Sequence, residues 1–105
     1  MPQNPMPKID KISTITDSLL QRNHIPARLR GYTYLRSAII AAAQSPGAPL
    51  KMLYHDIART QHTTPAAVDH GIRYAIRAGG HYTITAKEMI YSTAMTVAQV
   101  AAQMM

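Results

Sequence analysis

Apolar positions recur at helical spacing along almost the whole chain. Ile9, Ile12, Ile15, Leu19 and Leu20 step mostly by three and four, which predicts a first helix over 9–22. His24-Ile25-Pro26 ends it, because the residue before a proline avoids the α region. Tyr34, Leu35, Ala38, Ile39 and Ala42 give a second helix over 31–44 its inner face. The segment 45–49, with two prolines and a glycine, reads as a loop. Leu53, Ile57 and Ala58 mark a short third helix over 52–61, and His62-Thr63 a tight turn. Thr64 then offers an N-cap, with Pro65 at the first helical position. The fourth helix, 65–78, carries the stripe Val68, Ile72, Ala75, Ile76 and stops at Gly79-Gly80. An extended stretch over 81–84 follows. Thr85 with Glu88 and Thr96 with Gln99 both match the capping box. The tail therefore reads as one broken helix or two short ones, the last over 97–104.

Composition narrows the class. A chain of 105 residues is one domain with a small core. Three prolines within the first seven residues predict a floppy tail over 1–8 ahead of a single domain over 9–105. The start has no apolar run after its charge, and no stretch approaches the ~18 apolar residues of a membrane span. A cytoplasmic, nucleoid-associated protein is expected. The absence of cysteine excludes a disulfide scaffold and a thiolate metal site. Sixteen alanines with no Phe or Trp suit closely packed helices. Eleven Lys or Arg against five Asp or Glu give a net charge of +6. Charged residues are only 15 % of the chain, so the basic excess reflects a shortage of acids. Catalysis is not expected. Carboxylates are few, and His24, His55, His62, His70 and His81 show no metal-ligand spacing. No glycine-rich phosphate loop is present. No cofactor, small-molecule substrate or membrane partner is expected.

The informative segment is 52–78, a short helix, a turn and a longer capped helix, which is the pattern of a helix-turn-helix. Ala58 supplies the small residue a steep crossing needs, and Ile57 and Val68 close the wedge. If helix 65–78 enters a major groove, its exposed face meets the base edges. Asp69 then accepts from a cytosine amino group, His70 donates to a guanine, and Arg73 pairs with guanine or grips a phosphate. Against this stands a plain surface pair between Asp69 and Arg73 at i,i+4. Thr64 and the free N–H groups at Ala66 and Ala67 mark a phosphate site at the helix start. Arg77 shares the exposed face with Arg73. Arg28, Arg30 and Arg36 form a second basic group before and within helix two, and Lys51 and Arg59 flank the third helix. All are candidates to hold phosphates, which positions the domain rather than specifying sequence. Ordinary solvated charge is the alternative. Tyr32, Tyr34, Tyr54 and Tyr74 read as core or half-buried wall.

Two runs carry a resemblance. The first is Ile25-Pro26-Ala27-Arg28-Leu29-Arg30-Gly31-Tyr32-Thr33-Tyr34-Leu35-Arg36-Ser37-Ala38-Ile39. The second is Leu53-Tyr54-His55-Asp56-Ile57-Ala58 with Thr63-Thr64-Pro65-Ala66-Ala67-Val68-Asp69-His70-Gly71-Ile72-Arg73-Tyr74-Ala75-Ile76. Their Gly-Tyr-x-Tyr-Leu and Leu-Tyr-x-Asp-Ile-Ala signatures resemble the DNA-binding effector domain of the master sporulation response regulator of spore-forming Firmicutes. The likeness covers 23–78, about half of the chain. The C-terminal segment is similar only loosely and is shorter after the recognition helix. The resemblance implies a six-helix, all-α domain that binds double-stranded DNA through its fourth helix, as tandem copies on short repeated sites; the small size of the domain also fits a homodimer. It places Asp69 at an acidic, base-proximal position and Arg73 at an arginine position. Ala67 and His70 stand where that family is basic, which implies a different or weaker sequence preference. The family's receiver domain has no counterpart in the 22 leading residues, so phosphorylation control is not expected within this chain.

The second function class is a non-enzymatic adaptor or inhibitor. Met89, Met95, Val97, Val100, Ala101 and Met104 would supply its Ala/Met-rich C-terminal face. The same residues would otherwise cap the core.

Overall fold

Five helices account for most of the chain in the computed structural model, which describes residues 8–104. They are α1 (Lys8–Arg22), α2 (Arg30–Gln44), α3 (Leu50–Thr60), α4 (Pro65–Ala78) and α5 (Ala86–Gln103). The domain is all-α, with no strand among the described residues. Residues 1–7 of the expected tail lie outside the described residues, as does the side chain of Ile9, and Lys8 already belongs to α1.

The long second helix organises the core. It packs against α1, α3, α4 and α5, with Leu35, Ala38 and Ile39 fully buried at its centre. Leu20 from α1, Val68 and Ile72 from α4, and Ile90 and Val97 from α5 complete the interior. The α2–α4 crossing is very close. A methyl group on Gly31 would overlap the Gly71 carbonyl, and one on Gly71 would sit 2.9 Å from the Tyr34 ring. Small residues at the contact let two backbones meet, which brings the start of α2 beside the middle of α4.

Four expectations are corrected. The described residues form five helices rather than six. The tail is one continuous helix, because Thr96 does not cap: its hydroxyl donates back to the Ser92 carbonyl at 3.2 Å inside α5. Ala94, Val97 and Ala101 carry the buried stripe of α5 straight through that point. The third helix starts at Leu50, two residues early, with Pro49 extended ahead of it. By contrast Thr85 and Glu88 do form the capping box, with bonds of 3.1 and 3.2 Å. Residues 81–84 are irregular rather than extended, and His81 Nε2 lies 2.8 Å from the Asn23 carbonyl, tying this link to the end of α1.

The methionine face divides. Met89, Val97 and Ala101 are core, whereas Met95 and Met104 are exposed. Those two positions fall half a turn out of phase, so they make no continuous stripe.

Candidate nucleic-acid interface

Helices α3 and α4 form the expected pair. Ile57, Ala58 and Val68 are buried between them. The turn lacks the common glycine, and His62 takes the left-handed conformation in its place, with φ 55°. The Thr63 N–H then reaches the Ala58 carbonyl at 2.9 Å and closes the turn. Thr64 is extended, and its hydroxyl accepts from the Ala67 N–H at 3.1 Å. This corrects the expectation of two free donors at the helix start. Pro65 has no N–H and Ala67 is satisfied, so the N–H left pointing outward is that of Ala66.

The outer ridge of α4 is formed by Ala66, His70, Arg73 and Arg77, all exposed. Asp69 is half-buried at the edge of this ridge, and its carboxylate forms an ion pair with Arg73, Oδ2 to Nε 3.0 Å. The plain i,i+4 pair is therefore present in the free protein. With the Arg73 side chain 70 % exposed, such a pair stabilises the helix by only ~0.2–0.5 kcal/mol. Breaking it costs little, so Arg73 is available to another acceptor. Under this edge lies Tyr54, which is buried with its hydroxyl lacking any hydrogen-bond partner among the described residues. Desolvation pushes the Tyr54 phenol well above its usual value; the nearby Asp69 carboxylate adds to the rise and Arg73 opposes it. Tyr32 and Tyr34 are core as expected, but Tyr74 is 59 % exposed and stands on the surface of α4.

The flanking basic residues do not all behave alike. Arg28 and Arg30 are exposed, and the Gly31–Gly71 contact sets the start of α2, where Arg30 stands, against α4. Arg30 also borders a shallow hollow with Thr33, Tyr34 and Gln61, next to the helix-turn-helix turn. Arg36 is different. Its Nε donates to Asp17 at 2.8 Å, the same carboxylate oxygen that accepts from the Tyr32 hydroxyl at 2.7 Å. That charge is already neutralised in the α1–α2 contact. Arg59 pairs with Asp56 at 3.1 Å on an open surface, and Lys51 is exposed at the start of α3.

Sequence reasoning passed over Tyr82 and Lys87. Both line a cleft of about 580 Å³ together with Arg73 and Arg77. Neither shares a helix face with α4, so helical spacing gives no sign of the encounter. It depends on how the 79–85 link folds back.

The model for the family described as Sporulation initiation factor Spo0A C terminal matches residues 15–102. The match spans the helix-turn-helix and both basic groups, and it extends through most of α5, beyond the 23–78 segment that carries the sequence resemblance. The chain belongs to this family of non-catalytic, DNA-binding domains of transcription regulators.

Proposed function

We propose that the domain binds double-stranded DNA selectively by laying α4 in the major groove. The exposed ridge of α4, with the weak Asp69–Arg73 pair at its edge, supports this reading best. On entry Arg73 leaves Asp69 and donates to guanine, Asp69 accepts from a cytosine amino group, and His70 donates to a guanine acceptor. The one contact given up, the Asp69–Arg73 pair, is of little worth. Arg28, Arg30, Lys51, Arg59 and Arg77, with the Thr64 hydroxyl and the Ala66 N–H at the start of α4, hold phosphates. Arg36 contributes least, because Asp17 already engages it. A single domain of this size covers little DNA. Two copies on repeated or symmetric sites give the regulator its working affinity, within the cytoplasmic nucleoid.

Arg73→Ala and Arg28→Ala separate the two kinds of contact. In competition between a preferred duplex and random DNA, Arg73→Ala is expected to lower affinity for the preferred site by about 1–3 kcal/mol and to relax one base position. Arg28→Ala is expected to weaken both duplexes equally. Uniform loss in both variants removes base reading from Arg73.

A further inference from the structure

The α4 ridge has two flanks. On one side Gly71 abuts Gly31, and there α2 begins at Arg30, with Arg28 two residues ahead of it in the chain. On the other side, toward Asp69 and Ile76, the link from α4 to α5 rises and encloses the cleft that Tyr82 and Lys87 share with Arg73 and Arg77. We propose that Tyr82 and Lys87 form a second phosphate-gripping lip, which holds the DNA backbone on the flank of α4 opposite Arg28 and Arg30. The inference rests on α4 being the helix that enters the groove.

Three observations carry it. The first is charge. The cleft gathers the permanent cations Arg73, Arg77 and Lys87 around one carboxylate, Asp69, which is already paired with Arg73. Lys87 makes no ion pair among the described residues. It also sits in the first turn of α5, where the positive end of the helix dipole disfavours a cation. An anion placed there relieves both. The nearby acid Glu88 does not serve, because its carboxylate accepts from the Thr85 N–H.

The second is the tyrosine. Tyr82 is 75 % exposed, the most exposed large apolar side chain of the described residues. It has an apolar ring to lie along a sugar and a hydroxyl to donate to a phosphate. The third is fixity. The link is irregular but tied at both ends. His81 is held to the Asn23 carbonyl at 2.8 Å, and the Thr85–Glu88 capping box fixes the start of α5. Gly80, between the end of α4 and His81, turns the chain with φ 91°, a conformation that suits glycine. The lip is thus held in place before DNA arrives. A helix seated in a major groove lies between two backbones, and the two flanks then meet one each.

The test is binding of the full chain to duplex DNA across a range of salt. The proteins compared are the unchanged chain and the Lys87→Gln, Tyr82→Ala and Arg28→Ala variants, with helical content checked by circular dichroism. The changed side chains are exposed, so folding is expected to survive. Lys87→Gln should weaken binding about threefold to tenfold on every sequence and flatten the log–log salt slope by about one. Tyr82→Ala should weaken binding without altering the slope. Ethylation interference should lose a phosphate on one flank of the site in Lys87→Gln and on the other flank in Arg28→Ala. Unchanged affinity and slope in Lys87→Gln and Tyr82→Ala, with Arg28→Ala impaired, overturn the lip alone. Salt-independent or absent binding by the unchanged chain overturns the DNA reading and the lip with it.

Discussion

Gly31 and Gly71 set how near α2 comes to α4, and so where the basic residues at the start of α2 stand relative to the recognition ridge. Both glycines sit inside helices, where glycine is unfavourable by about 1 kcal/mol relative to alanine. Here the missing side chain is what permits the contact. Gly31→Ala is expected to destabilise the fold by about 2–3 kcal/mol, since the obstacle is backbone rather than a flexible side chain. Gly47→Ala, with nothing within 4 Å, should be nearly neutral. Urea denaturation of the two variants checks the difference, and equal stabilities would refute the close crossing. This contact was not legible in the sequence. Helical periodicity shows which face turns inward, but not which two positions on different helices meet. The Asp69–Arg73 pair was legible, because i,i+4 geometry is local. The Arg36–Asp17 pair was not, since its partners lie on different helices.

At the scale of elements, caps were the most readable signal. Thr64-Pro65 and Gly79 bound α4 as expected, and Thr85 with Glu88 starts α5. The same capping pattern at Thr96 and Gln99 misleads, because a helix continues through a threonine whenever its buried stripe continues on both sides. Ile90, Ala94, Val97 and Ala101 do so. The contact between α1 and α2 makes a further prediction. Tyr32 donates to the half-buried Asp17, and burial first, then that carboxylate, push its phenol from 10.0 to about 12. The folded state therefore keeps this proton where the unfolded chain releases it. The stability it contributes is complete below pH 10 and is lost as pH rises toward 12. Tyr32→Phe should lower stability at pH 7 by about 1 kcal/mol and should show a shallower loss than the unchanged chain between pH 10 and pH 12. Denaturation curves at the two pH values measure it. An identical alkaline loss in both proteins would remove Tyr32 as a source.

For the whole molecule, a net charge of +6 on a small helical domain matters through its placement. One cation is engaged inside the fold at Asp17, while Arg30 stands at the end of α2 that meets α4 and Lys87 lines the cleft on the other side of α4. A polyanion approaching the ridge meets positive potential on both sides, which favours encounter and alignment before any base is read. The all-α fold and the bounds of α4 were visible in the sequence because both rest on local periodicity and on two recognisable runs. The second flank was hidden because it depends on the path of an irregular link. The most direct test of the central claim is selection of the purified protein on a random duplex library at physiological salt, followed by sequencing. The account predicts enrichment of a short motif, present in two copies, with one base position lost in Arg73→Ala. Retention without any motif, or no retention at all, would contradict it.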